Sequence, residues 1–214
     1  MNTILTKSVF AIKQSVVEMA KRVVQQHLRA YNALNSIDKD VLNSIINDDQ
    51  KLDNEYLEIK KQINFELTKE PLGRYLRRCV SYFIIVKELE RIGDYAKQIC
   101  RFLLIYIEPA NTSIDRIKRL YTDVMQNMNM LSEIILSEDI EKINQTAAYD
   151  VHINKMTDEI IEELIRSFTN SKHTQSENAE RVHLLKLIQN LERAGDHVVN
   201  ICEELRYVVT GKYK

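Results

Sequence analysis

The chain contains one segment twice, and this constrains its fold more than any other feature. Residues 87–100, KELERIGDYAKQIC, align without a gap on residues 189–202, QNLERAGDHVVNIC, at an offset of 102. The two copies share seven of fourteen positions: Leu, Glu, Arg, Gly and Asp, then Ile and Cys. At an offset of 101, Asp49 and Asp53 fall on Asp150 and Asn154. Self-similarity at a long period means that each copy is a structural unit of its own kind. A chain of 214 residues has room for two units of about 100 residues each.

The content of each unit follows from apolar spacing. Apolar residues recur at alternating steps of three and four, the period of helices packed in a bundle. Leu5, Val9, Ile12, Val16, Met19 and Val23 mark a first helix. Asp38 is placed to N-cap a second, with the seam Leu42, Ile45, Asp49, Leu52, Tyr56, Ile59, Ile63. A third starts near Pro71, with the seam Leu76, Cys79, Phe83, Val86, Glu90, Gly93, Lys97, Cys100. Glu108-Pro109-Ala110-Asn111 breaks the pattern, after which Thr112 or Ser113 can cap a fourth helix. The fourth runs through Ile117–Ile135, the fifth through Ile140–Phe168 and the sixth from about Asn178 to Val209. With only four Gly, two Pro and no Trp, the predicted class is all-α. It comprises two tandem three-helix bundles of six long helices, over residues 1–108 and 112–214.

Composition excludes several partners. Thirty basic residues balance thirty-one acidic ones and form no basic stripe, which argues against nucleic acid. Three cysteines without a CxxC spacing read as reduced core thiols of a cytoplasmic protein. No apolar run reaches the ~20 residues needed to cross a bilayer, and the N-terminus has no signal-peptide pattern.

The period is most informative where carboxylates interrupt it. Glu90 lies on the third seam between Val86 and Gly93, and Glu192 on the sixth between Ile188 and Gly195. Asp49 and Asp150 interrupt the second and fifth seams in the same way. An ionised carboxylate removed from water needs a compensating cation. Each has a companion one turn on: Asp94, Asp196, Asp53 and, as an amide, Asn154. Residues at i and i+4 share a face, so two antiparallel helices bearing such pairs can surround one ion with oxygen. Gly93 and Gly195 leave room beside that point. Oxygen donors favour Mg²⁺, Ca²⁺, Mn²⁺ or iron over copper or thiolate-bound zinc. With Asn154 in place of an acid, the second site is expected to be less charged and weaker. The competing reading is that Glu90 and Glu192 sit at a rim and pair with Arg91, Arg193 or Lys97. His197 and the cysteines at 100 and 202 read as non-ligands.

The segments at Glu90–Asp94 and Glu192–Asp196 resemble the E/D-x-x-x-D signature of the PhoU family. Asp49 and Asp53 match its second acidic pair, and Arg77 stands thirteen residues before Glu90, where that family carries an arginine. The resemblance implies a cytoplasmic, non-enzymatic regulator, peripheral to the membrane through its partner and often a homodimer, that restrains phosphate uptake. It implies partners too: a phosphate ABC transporter, its ATPase and a sensor histidine kinase. It further implies metal ions, chiefly iron clusters with manganese, zinc or magnesium as alternatives. The ligands carried over are Asp49, Asp53, Glu90 and Asp94 at one site, and Asp150, Glu192 and Asp196 with Asn154 at the other. Two other readings compete. A ferritin-like di-iron enzyme needs two Glu-x-x-His elements, and this chain offers only Glu180-Arg-Val-His183. A purely structural helical adaptor would leave the carboxylates salt-bridged.

Overall fold

The computed structural model describes residues 3–35, 37–69, 72–105, 111–169 and 174–212, and every element among them is an α-helix. In chain order these are α1 (Thr3–Ala33), α2 (Lys39–Leu67), α3 (Arg74–Ile105), α4 (Asn111–Asn129), α5 (Leu131–Ser137), α6 (Ile140–Ala148), α7 (Asp150–Thr169) and α8 (Gln175–Thr210). The backbone stays right-handed helical at Met130 and at Tyr149. Segments α4 with α5, and α6 with α7, therefore act as two rods, and the eight segments make the six predicted helices. Helices α1, α2 and α3 pack as one bundle; α4–α5, α6–α7 and α8 pack as the second.

Local signals account for the helix ends. The Asp38 carboxylate accepts from the amides of Asp40 (2.8 Å) and Val41 (3.3 Å), and so caps α2 as its sequence requires. Asp139 caps α6 in the same way. The chain turns between α5 and α6 at Glu138, whose φ of 53° is left-handed. Such a conformation costs a non-glycine residue about 1–3 kcal/mol, and the Glu138 side chain is bonded accordingly. It receives both guanidinium nitrogens of Arg78 at 2.7 Å, the Tyr82 hydroxyl at 2.8 Å and the Lys13 ammonium at 2.9 Å. Burial alone would raise the Glu138 pKa, but these donors hold it below the ordinary value. The turn of the second bundle is thereby tied to α1 and α3 of the first.

One continuous apolar core runs through both bundles. The α2 seam holds as predicted except at Tyr56, which is only partly buried: Leu42, Ile45, Asp49, Leu52, Ile59 and Ile63 are all buried. The α3 seam does not. Leu76 is exposed, while Phe83, Glu90 and Lys97 are only partly buried; the centre of the buried face is Tyr82, Ile85, Leu89, Ile92, Ala96 and Ile99. The physical reason is that α3 packs against α1, α2 and α8 at once. Its apolar arc is therefore broad, and the strict three-four stripe follows one edge of it, along α2. Thr112 and Ser113 lie within α4, which already begins at Asn111, so neither sits at its N-cap. Pro71 and residues 108–110 at the predicted domain boundary lie outside the described residues.

Two contacts join the bundles near the repeated segments. His27 is fully buried, with Nε2 2.7 Å from the Ile92 carbonyl and Nδ1 2.8 Å from the Tyr121 hydroxyl. Burial lowers its pKa to about 4, so the ring is neutral near pH 7. Tyr95 on α3 lies against His197 on α8, with ring centroids 5.7 Å apart. These two residues occupy equivalent places in the two copies. His197 Nδ1 lies 2.6 Å from Glu88 Oε2, which also accepts from the Asn200 amide at 2.8 Å.

Candidate functional site

The fold brings the predicted acids of each half to the groove between two neighbouring helices. In the first half these are α2 and α3. Asp49 is 5% exposed, whereas the Glu90 and Asp94 side chains each retain 22% exposure. Asp53 and Glu90 have raised pKa values. Burial is the first cause for both; Asp49 then adds most at Asp53, and Asp94 adds most at Glu90. The four predicted residues therefore share one electrostatic environment, at whose centre stands Lys97. Its ammonium contacts Asp49 and lies 2.6 Å from Asp94 Oδ1. Burial opposes the charge on Lys97, but the hydrogen bonds it donates to Asp49 and Asp94 raise its pKa overall. Arg91 is more distant, 3.8 Å from both Glu90 and Asp94. Of the rim pairing weighed from sequence, Glu90 shows only the Arg91 contact, whereas Lys97 pairs with Asp49 and Asp94 instead.

The second half differs in two respects. The counterpart of Lys97 is Val199, which brings no cation. The acid count is not reduced by Asn154, because Asp158 joins the group and raises the Glu192 pKa together with burial and Asp196. Asp150, Asn154 and Asp158 stand on successive turns of α7, facing Glu192 and Asp196 on α8. Asp158 has Leu57 as its counterpart, so comparison of the copies gave no hint of it; the i+4 step from Asn154 was the available signal. The expectation of a less charged second site is therefore reversed. Burial, then Asp196, also raises the Asp150 pKa. Asn154 Nδ2 donates to Asp150 Oδ2 at 2.8 Å. Asp150 Oδ1, Asn154 Oδ1 and Thr157 Oγ1 are buried with no hydrogen-bond partner among the described residues.

Gly93 and Gly195 are close-approach positions, as their place in the pattern implies. A Cβ at 93 would stand 2.8 Å from Leu52 Cδ1 and 3.2 Å from Gln26 Oε1; at 195 it would stand 3.1 Å from Asp150 Oδ1. Arg77 is remote from the first cluster: its guanidinium lies over the Tyr207 ring at 5.7 Å. His183 rests against Phe102, with centroids 6.3 Å apart. Cys79, Cys100 and Cys202 are buried free thiols.

A bound cation would fit the two clusters unequally. Orphaned buried oxygens at Asp150 and Asn154 are the donors that an oxygen-seeking ion requires. In the first cluster, Lys97 already holds two of the four acids. Among the described residues, no three His, Cys, Asp or Glu side chains converge into a ready-made metal cage. Like charges without a counterion hold apart, so an ion would have to draw the side chains inward.

Comparison with known proteins agrees with this architecture. The model of the PhoU domain matches twice, over residues 16–103 and 117–205, one match per bundle. A phosphate-specific transport system accessory protein PhoU homolog of Borreliella burgdorferi is 27% identical, covering 97% of this chain and 96% of that protein. The crystal structure of the phosphate transport system regulatory protein PhoU from Streptococcus pneumoniae superimposes with a TM-score of 0.89 at 23% identity, over 98% of this chain and 99% of that one. PhoU from Pseudomonas aeruginosa gives a TM-score of 0.89 at 20% identity, over 97% and 99% of the two chains. Two tandem helical bundles, each matching the same domain and each carrying its own copy of the acidic segment, place this chain in the PhoU family.

Proposed function

We propose that this protein is a non-enzymatic, metal-binding regulator of phosphate uptake that restrains a phosphate ABC transporter from the cytoplasmic side. Family membership and the naming of full-length relatives as accessory proteins of phosphate-specific transport support the regulatory role. Among the described residues, no helix is long and apolar enough to cross a membrane, so contact with the bilayer would run through the transporter or its ATPase. A sensor histidine kinase and a second copy of the chain are further partners of this reading.

The metal half of the proposal rests on one observation, the orphaned oxygens of Asp150 and Asn154 beside Glu192 and Asp196. We assign the stronger site to this second cluster, with Asp150, Asn154, Glu192 and Asp196 as ligands and Asp158 as added negative charge. The first, at Asp49, Asp53, Glu90 and Asp94, takes an ion only when the Lys97 ammonium gives way. A bound ion would neutralise carboxylates that otherwise repel one another, stiffening α7 against α8. Iron is the leading candidate, with manganese, magnesium and zinc as competitors.

Elemental analysis of purified protein, with ferrous and manganous reconstitution, tests this directly. Wild type should hold metal, Glu192→Gln should lose the tighter component and Glu90→Gln the weaker. Val199→Lys should weaken the tighter component by at least about tenfold, or ~1.4 kcal/mol. Wild-type protein that stays metal-free after reconstitution would refute the metal assignment. Capture of the transporter ATPase from phosphate-replete cells tests the regulatory half independently.

A further inference from the structure

On the other side of α2 from the first acidic cluster, α1 and α2 enclose a cleft of about 200 Å³. Its walls include Arg22, Gln26, Arg29, Asp48, Lys51 and Leu52. We propose that this cleft binds a small phosphate-type oxyanion, held by Arg22, Arg29 and Lys51 and oriented by the Gln26 amide. The inference does not depend on the metal reading.

Three observations carry it. The first is charge: three cations line the cleft against the single carboxylate of Asp48. Asp48 pairs with Arg29 and, at 2.6 Å, with Lys51, while Arg22 lies 3.2 Å from Glu55 on the cleft's flank. Two guanidinium groups supply the planar donor forks that suit a tetrahedral oxyanion. The second is an unmet demand. Gln26 is 5% exposed and lines the cleft, yet neither its Nε2 nor its Oε1 has a hydrogen-bond partner among the described residues. A buried amide left unpaired is destabilising, and an anion oxygen would satisfy its N–H. The third is size. A volume of about 200 Å³ falls below the ~300–1,000 Å³ of pockets for larger organic ligands and suits an ion of a few atoms.

The second bundle provides an internal contrast. At the offset of 101, Gln26, Arg22, Asp48 and Lys51 become Asn127, Asp123, Tyr149 and His152. The Asn127 amide is likewise buried without a hydrogen-bond partner among the described residues. Its groove, however, is spanned by the Tyr149 hydroxyl, which bonds Asp123 at 2.8 Å and Gln126 at 3.2 Å, with His152 3.6 Å from Asp123. The amide repeats; the cations do not. Gln26 Oε1 also lies 3.2 Å from the place a Gly93 Cβ would occupy. An anion on Gln26 would thus sit one side chain from the backbone of the first repeated segment.

The test is titration of chelator-treated full-length protein with inorganic phosphate, followed by calorimetry and ³¹P line broadening. Wild type should bind saturably. Arg22→Gln with Lys51→Gln should weaken binding at least tenfold; both side chains are more than half exposed, so the fold should survive. Asp48→Asn should strengthen binding severalfold by releasing Arg29 and Lys51. His152→Gln, the second-bundle counterpart of the Lys51 change, should leave it unaltered, as should Glu90→Gln with Glu192→Gln. Flotation with phosphatidylglycerol vesicles separates the two sources of this chemistry. Vesicle binding that requires Arg22 and Lys51, without a response to free phosphate, assigns the cleft to a lipid headgroup. Saturable phosphate binding without vesicle binding assigns it to the free ion. Absence of both, phosphate binding indifferent to Arg22 and Lys51, or phosphate binding lost with Glu90 and Glu192 would overturn the proposal.

Discussion

The two acidic clusters occupy the same place in two copies of one bundle, yet they solve the same electrostatic problem in different ways. At the first, Lys97 reaches between Asp49 and Asp94 and supplies the missing charge from within the chain. At the second, Val199 stands where that lysine would be, Asp158 adds an acid, and buried oxygens are left without partners. One copy of a repeated segment can thus be partly neutralised by a lysine of its own, while the other has only Arg193 acting on Glu192. The glycines follow the same division: Gly93 faces a leucine and an amide, while Gly195 faces a carboxylate oxygen.

The sharpest way to break this comparison is to remove the lysine. Lys97→Met leaves Asp49 buried beside Asp94 and Asp53 without a cation. The metal-free protein should lose about 3 kcal/mol of stability, as when a partner is deleted from a buried ion pair. Chemical denaturation in chelator measures this, and excess Mn²⁺ should restore part of the loss if the first cluster then accepts metal. A change below about 0.5 kcal/mol would mean that Lys97 is incidental. A smaller effect should separate the glycines. Gly93→Ala must displace Leu52 and Gln26, and overpacking of about 1–3 kcal/mol outweighs a helix-propensity gain of about 1 kcal/mol, for a net loss of about 1 kcal/mol. Gly195→Ala presses on Asp150 Oδ1 at 3.1 Å and meets Ile153 only at ordinary contact distance, so stability should barely move while metal affinity at the second cluster falls.

The smallest effect is one of pH. The Asp150 and Glu192 pKa values are raised above 3.8 and 4.5, first by burial and then by Asp196. A raised carboxyl costs nothing while protonated in both folded and unfolded states; its cost appears as pH rises through the native pKa. Asp150→Asn with Glu192→Gln should therefore raise the melting temperature of metal-free protein at pH 7 by a few degrees. That advantage should fade as pH falls towards 3.8. An advantage that persists in acid would place its origin in packing instead of charge.

Much of this was legible in the sequence because two signals repeat: the helical period and the doubled segment. Both survive small errors of register, so six rods in two bundles, the Asp38 cap and the pairing of acids across each groove could be read directly. The relative strength of the two clusters could not. Counting ligand types made Asn154 a deficit, because Asp158 has no acidic counterpart at Leu57. Lys97 read as one of several rim cations, since spacing alone does not reveal which nitrogen lies nearest a buried oxygen. The apolar spacing of α3 marks an edge of its buried face and not the centre for a related reason: a helix with three neighbours has no single stripe. The Glu138 turn, held by Arg78, Tyr82 and Lys13, joins residues more than fifty positions apart, and no local pattern announces it.

The contact between Tyr95 and His197 has a further consequence. Residues at equivalent places in the two copies touch each other, as happens where a two-fold axis passes through an isologous interface. In a symmetric dimer of separate chains, a substitution at such an interface always acts twice. Joining the halves in one chain removes that coupling. Tyrosine can then face histidine across the axis, Glu88 can bond Asn200 without a mirror-image partner, and a lysine acquired beside one cluster need not appear beside the other. The covalent link is what permits one half to carry its own counterion while the other stays open to the medium.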